Sequence, residues 1–484
     1  MEIKKGCGRT IGKIILIFIL LWNSPMYQKT IRAENPNNLD MTKLDEFIKK
    51  EMKRLNIPGM SLAIVNDDQI QYLKGYGISG ANNNHMTPQT PIVIGSVSKS
   101  FTALAILQLV DRGIIRLEER VQSYLPWFRL ADEESSKEIT IKHLLNQTSG
   151  LSTYDGQLSI LNGNKTLKEH IKGLKNIELE HEVGATYEYS NLNYDILGLV
   201  IEEVTNTPYK KYITNNIFKP LCMKNSYADK SDDKNKTIAT GYQTIFGLKF
   251  PTEQLHHEGN IPSGYLISSA EDMANYMIAL LNNGQFKEER VLSKDKMQEL
   301  FKPATLMWED SYYAMGWTIN QNVISHDGST ENTYTKVVLD GEYGISLLIN
   351  SLDYLNIDSY DNIMTGIINI IHHDELQTSN QNPYTIYIII NSLLILTFSL
   401  ISFSLYRTLK PKNNIGSKLP IGNRIAIIAV NFFIPGMIFY YVPKVVPWPT
   451  LKLFVPGIGH ALFIIPFLLL FIGILKIGIL LRAK

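Results

Sequence analysis

The chain has 484 residues, with 47 basic and 46 acidic side chains and a formal net charge of +1 at pH 7. That balance removes the electrostatic case for a nucleic-acid partner. There are two cysteines, Cys7 and Cys222, so once an N-terminal signal is removed the rest must stand on core packing, without an internal disulfide.

Residues 1–33 read as an export signal, or as an uncleaved N-terminal anchor. Lys4, Lys5, Arg9 and Lys13 precede a short apolar run over 14–22, and Ala33 and Ser24 compete as the cleavage point. A domain over 38–372 follows. Residues 40–54 have helical spacing. Residues 61–66 alternate as a strand, Asp67-Asp68 turns, and 69–76 return as the second arm of a hairpin. An apolar helix is expected over 101–110, with others at 141–146, 194–204, 270–281 and 358–371. Strands are expected again at 315–319, 333–339 and 344–350. Strands at both ends with helices between them predict an α+β fold: one sheet built from the two ends of the domain, and a helical insertion in its middle.

Three long apolar runs close the chain, at 384–406, 425–442 and 453–475. A helix rises ~1.5 Å per residue and a bilayer core is ~30 Å thick, so each is read as a transmembrane helix. Arg407, Lys410, Lys412, Lys418 and Arg424 crowd the first connection, whereas the second holds only Lys444 and Lys452. Positive loops face the cytoplasm. The expected protein is therefore a multi-pass protein of the cell membrane, with 38–372 on the extracytoplasmic side and a cytoplasmic C-terminus.

Three short patterns carry the chemistry. Ser96-Val97-Ser98-Lys99 puts a hydroxyl and an amine one helical turn apart, and a serine nucleophile needs a neighbouring base. Ser231/Lys234 and Ser293/Lys296 have the same spacing, but in polar stretches that read as surface. Ser96 instead follows Gly95 and leads into an apolar helix. Tyr189-Ser190-Asn191 lies between a loop opened by Gly184 and a helix expected to start near Asn193, with Tyr187 as a competitor for the tyrosine role. Tyr354/Asn356 and Tyr360/Asn362 repeat the spacing and read as turn and cap residues. His326-Asp327-Gly328 is read as preceding a strand, with a glycine that would let substrate approach the sheet edge. The adjacent pairs His256-His257 and His372-His373 point their rings apart, and no HExxH occurs, so neither a metal nor another cofactor is called for.

Taken in order, these motifs resemble those of the serine β-lactamase-like hydrolases of the class C β-lactamase and D-Ala-D-Ala carboxypeptidase type: Ser-x-x-Lys, Tyr-x-Asn, and Lys-Thr-Gly or His-x-Gly. The stretches at 139–151, 217–226 and 261–277 are similar as well. The resemblance implies a β-lactamase/transpeptidase-like fold, an antiparallel sheet flanked by helices with an all-helical subdomain. It implies that Ser96 forms an acyl-enzyme while Lys99 and Tyr189 handle protons. Asn191 would bind a substrate amide, and the backbone N–H groups of Ser96 and Ser329 would form the oxyanion hole, with His326 and Gly328 on the strand that closes the site. His326 stands where carboxylate-binding members carry lysine, which argues against β-lactamase and strict carboxypeptidase activity.

An export signal, one such domain and three C-terminal spans also resemble the membrane-bound prodrug-activating peptidases, such as the colibactin-maturation peptidase. That likeness makes Asn191, His257 and Asn332 candidates for reading a D-Asn side chain. The expected function is a membrane-anchored extracytoplasmic serine peptidase or amidase on D-amino-acid-containing substrates. The alternatives are a penicillin-binding or cell-wall-modifying protein of the same family, or an esterase. The expected partners are a small peptide, an acylated D-amino acid or a cell-wall substrate, together with the membrane. Oligomeric state is left open.

Overall fold

The computed structural model describes residues 39–80, 84–161, 164–233, 237–255, 257–376, 382–410 and 420–482. The proposed signal at 1–33, His256 and Lys234 lie outside them. The main elements, in chain order, are α1 (Met41–Leu55), β1 (Gly59–Asn66), β2 (Gln69–Gly77), α2 (Ser98–Asp111), α3 (Asn191–Thr205), α4 (Ala270–Leu281), β3 (Thr305–Trp308), β4 (Ser311–Ala314), β5 (Trp317–Asn320), β6 (Val323–Ser329), β7 (Tyr334–Asp340), β8 (Tyr343–Ile349) and α5 (Ile357–Ile371).

Eight strands form one antiparallel sheet in the order β2-β1-β8-β7-β6-β5-β4-β3. The N-terminal hairpin pairs with the last strand, Met60 opposite Ile349 and Asn66 opposite Tyr343, so both ends of the domain build the sheet. Period-two alternation sorts its side chains between two cores. Leu62, Ile64, Val338 and Leu347 join Leu44 and Phe47 of α1 and Ile363 and Ile367 of α5. Ala63, Val65, Val337 and Leu348 face the other way, onto Phe101 and Leu104 of α2, Met277 of α4, and the helical region around Leu192 and Val200. The sheet is thus covered by helices on both faces. Phe101 stacks on Tyr276 at 4.1 Å between ring centroids, fixing α2 against α4.

Two boundaries differ from the sequence reading in ways that matter. His326-Asp327-Gly328 precedes β7 as expected, but it is itself strand, the second half of β6, fully paired with β7 from Val323/Asp340 to Ser329/Tyr334. The helix after Tyr189 starts at Asn191 rather than near Asn193, so the motif asparagine is its first residue. The additional strands β3 and β4, and a hairpin of Gly241–Ile245 with Leu248–Thr252, were not expected from the sequence.

Three further helices are long and apolar enough to cross a membrane: α6 (Tyr384–Leu409), α7 (Ile421–Val445) and α8 (Ile458–Arg482). The third begins five residues later than expected from sequence, because Trp448–Phe454 forms a separate short helix and Gly457 turns with φ +80°. Within α7 a π-helical turn at Ala429–Phe433 precedes Pro435, a residue that supplies no N–H to the helix ladder.

Candidate active site

Ser96 lies in a 3-10 turn, Gly95–Val97, that runs directly into α2. Gly95 has φ +55°, and a β-carbon there would stand 2.5 Å from the backbone nitrogen of Ser329. Only glycine combines that φ with so close an approach. The turn is therefore pressed against the end of β6. It is pinned from below: Ser98 Oγ donates to the Gly95 carbonyl at 2.7 Å and accepts from Leu266 N at 3.0 Å, and Ile94 N donates to the Leu266 carbonyl at 2.9 Å. Between Pro91 and Ser100 every residue is buried except Ser96, which keeps part of its surface.

Lys99 is the opposite case: its relative exposure is 0%. Its Nζ donates to Ser96 Oγ at 3.1 Å, to Asn191 Oδ1 at 2.7 Å and to the Ser263 carbonyl at 2.6 Å. The same nitrogen lies 4.8 Å from the centre of the Tyr189 ring. Burial lowers the Lys99 pKa to about 7, although the negative charge of Asp195 acts to raise it. Burial holds the Tyr189 phenol well above its usual range; a hydrogen bond with Ser96 works against that, and the charge of Asp327 adds to it.

The loop carrying Tyr189 is fixed from both sides. Thr153 Oγ1 donates to the Tyr189 carbonyl at 2.6 Å and to Glu188 Oε1 at 2.6 Å. Ser190 N donates to Gln147 Oε1 at 3.0 Å. Asn191, at the first position of α3, turns its amide nitrogen to the Gly156 carbonyl at 3.4 Å and its oxygen to Lys99.

His326 stands on β6 with its ring centroid 6.5 Å from that of Tyr189 and 6.3 Å from that of Tyr313. Burial, reinforced by the positive charge of Lys99, lowers its pKa to about 3, so it is neutral at physiological pH. Its Nδ1 lies 2.6 Å from the Asp327 carbonyl oxygen, which can only accept. The proton is assigned to Nδ1 on that ground, leaving Nε2 as an acceptor. Beside it, Lys336 pairs with Asp327 at 3.1 Å and also with Asp361, so its charge is already matched.

The structure thus brings Ser96, Lys99, Tyr189 and Asn191 into one cluster, with His326, Gly328 and Ser329 on the adjoining strand. A β-carbon on Gly328 would lie 3.1 Å from Ser96 N, which shows how near β6 runs to the Ser96 backbone. Asn332 is placed differently. It is fully buried, its amide nitrogen donates to the Thr252 carbonyl at 3.2 Å and to Thr252 Oγ1 at 3.1 Å, and its oxygen accepts from Thr330 Oγ1 at 3.3 Å. His257 is buried with its ring centroid 5.3 Å from that of Tyr265, at a small cavity lined also by Val93 and Ile267. Sequence reasoning missed the Ser263 carbonyl, the Asp195 carboxylate and the Tyr313 ring. Asp195 alone had a legible signal, since it lies four residues after Asn191 on the same helix face.

A buried lysine beside a partly exposed serine, with a tyrosine and an asparagine closing on them, thus sits on a β-lactamase/transpeptidase fold, the fold of a family of serine hydrolases. The Beta-lactamase family profile matches residues 44–363, and the chain belongs to that family. It is 31% identical over 383 residues to Protein flp of Staphylococcus aureus (strain MRSA252), covering 76% of this chain and 75% of that protein. It is 28% identical over 381 residues to Beta-lactamase-like protein 4 of Dictyostelium discoideum, covering 72% and 67%. Among solved structures, the octameric penicillin-binding protein homologue from Pyrococcus abyssi superposes with a TM-score of 0.60 at 26% identity, covering 70% of this chain and 79% of that one. FmtA from Staphylococcus aureus shares the fold at a TM-score of 0.58 and 21% identity, covering 76% and 99%.

Proposed function

We propose that this protein is a membrane-anchored serine peptidase or amidase that works through an acyl-enzyme on the outer face of a membrane. The observation that carries the reading is the Lys99–Ser96 contact of 3.1 Å by an amine whose pKa is lowered to about 7. Near neutrality a large fraction of Lys99 is uncharged and able to take the Ser96 proton. Tyr189, with its raised pKa, keeps its proton and is placed to pass it on.

In the first step Ser96 Oγ attacks the substrate carbonyl and its proton moves to Lys99. The backbone N–H groups of Ser96 and Ser329 hold the developing oxyanion. The C–N bond breaks, and the leaving amine takes a proton delivered from Lys99 by way of the Tyr189 hydroxyl. Water then attacks the ester and gives its proton to Lys99, which returns it to Ser96 Oγ as the acyl–oxygen bond breaks and the acid leaves.

The neutral His326 and the matched charges around Lys336 favour substrates without a carboxylate at that end, such as amides and esters of acyl-amino acids. Asn191, whose amide is part of the cluster, is the residue we assign to a substrate amide, including that of a D-Asn. The extracytoplasmic orientation rests on the basic first connection between spans and on the signal-like N-terminus. The test is turnover by the full chain of an N-acyl-D-Asn amide, its L-isomer and a simple ester, with release of the acid read by mass spectrometry. Preference for the D-amide supports the reading; hydrolysis of none of the three overturns it.

A second reading, a penicillin-binding protein acting on the cell wall, is favoured by the name of the Pyrococcus neighbour. Stable labelling by a fluorescent penicillin, with no turnover of the three substrates, would select it.

A further inference from the structure

The hairpin of Gly241–Ile245 and Leu248–Thr252 lies beside the catalytic domain's main sheet and has no part in the chemistry. Its tip, Phe246-Gly247, reaches the apolar helices. Asn391 Nδ2 of α6 donates to the Phe246 carbonyl at 3.0 Å. Gly247, at φ +93°, packs against Tyr387, where a β-carbon would come within 3.0 Å of the ring. Gly457, at the start of α8, lies as close to Ile245 and Phe246. Gln243 Nε2 donates to the Leu453 carbonyl at 2.6 Å.

The hairpin's two faces differ in kind. Gln243 pairs with Phe250 and Ile245 with Leu248, so these four side chains share one face, on which Gln243 and Ile245 meet the helices. Leu248 is 60% exposed and Phe250 44%. Lys249, on the other face, turns back to the protein and donates to the Tyr360 hydroxyl at 3.0 Å. A soluble surface would place the lysine outward and the leucine and phenylalanine inward. Here the order is reversed.

The depth of the tip follows from helix geometry. The 26 residues of α6 make a helix of about 39 Å, against about 30 Å for the hydrocarbon core. Centred on the core, α6 overhangs by about 4–5 Å at each end, and Asn391 lies about 10 Å below Tyr384. The tip it holds is then at or below the hydrocarbon boundary. An open groove of about 790 Å³ continues down α6 from Phe246, lined by Asn391, Leu394, Ile395 and Phe398. The short helix Trp448–Phe454 makes a second contact with the catalytic domain, against Thr153–Ser159, whose Gly156 carbonyl accepts from Asn191.

We propose that Phe246, Leu248 and Phe250 form a foot that enters the bilayer interface and seats the catalytic domain on the lipid at a fixed height. The proposal rests on reading α6–α8 as spanning helices. The occupant of the exposed face is the lipid itself, because the face is continuous with helices of that character and carries no outward charge.

The experiment uses the full chain in liposomes, with Cys7 and Cys222 replaced by serine. A nitroxide is attached at Leu248→Cys, at Leu393→Cys as a control on α6, and at Glu134→Cys as a control on the catalytic domain's surface. Accessibility to oxygen, which concentrates in lipid, is compared with that to a water-soluble nickel chelate. The expected result is that the Leu248 label follows the Leu393 label, with oxygen access several-fold above nickel access. A Leu248 label that follows Glu134 while Leu393 stays in lipid overturns the foot alone. Low access to both reagents at Leu248 means a protein partner and also overturns it. A Leu393 label open to nickel overturns the spanning reading and the foot with it.

Discussion

Gly328 and Ile94 are in such close contact that a β-carbon on Gly328 would stand 2.0 Å from the Ile94 carbonyl oxygen. Strand β6 can therefore pass the turn that carries Ser96 only while residue 328 has no side chain. Gly328→Ala should force the two segments apart, at a stability cost of about 1–3 kcal/mol, as overpacking typically gives. It should also displace the Ser329 N–H, and loss of one oxyanion donor slows such reactions by about 10²–10³-fold. Thermal unfolding and the acylation rate of the same variant check both; full acylation in a folded variant would remove β6 from the chemistry.

The acylation rate should rise with pH through about 7, as Lys99 sheds its proton. Below that point it should fall by about tenfold per unit, because only the neutral amine can take the Ser96 proton. His326 adds no second step there, its pKa being lowered to about 3. Between about 7 and the unfolded value of 10.5 the unfolded chain holds a proton the native state has lost, so this group makes the fold more stable as pH rises across that window. Single-turnover rates from pH 5 to 9 check the expected rise through about 7.

Asp195 is buried on α3 and its charge acts to raise the Lys99 pKa. Asp195→Asn removes that charge and keeps the shape. The midpoint of the pH–rate profile should move to lower pH, while Asn260 and His170, which meet the Asp195 carboxylate at 2.7 and 3.2 Å, can still bond the amide. An unchanged midpoint in a folded variant would show that Lys99 does not set the profile.

How much of this was legible beforehand depends on range. The hairpin β1–β2, helix α2 and helix α4 came from local periodicity, and the three motifs from short spacings in a fitting context. Strand β6 is not legible because Ser325 to Ser329 carries no alternating apolar face; it is held by its pairing with β7 and by the turn at Ser96, which is far from it in sequence. The Ser263 carbonyl could not be read at all, since any residue supplies one. Asn332 is a candidate in the sequence through the likeness to the prodrug-activating peptidases. Only the fold reveals that Thr252 and Thr330 already occupy it.

That contrast between asparagines is measurable. Asn332→Ala should cost about 1–3 kcal/mol of stability, the usual penalty for stripping a buried polar network, with little change in KM at temperatures where the variant is folded. Asn191→Ala should instead change kcat and KM, because it removes one of the three acceptors of Lys99 and the group assigned to the substrate amide. Equal kinetic damage from both would contradict this division.

The most direct test is intact-protein mass spectrometry of the full chain after rapid mixing with an activated acyl ester at pH 8. The account predicts a single acyl adduct on Ser96, absent in Ser96→Ala and greatly slowed in Lys99→Met. An adduct of equal yield in Ser96→Ala, or none in the wild-type chain with any acyl donor tried, would contradict it.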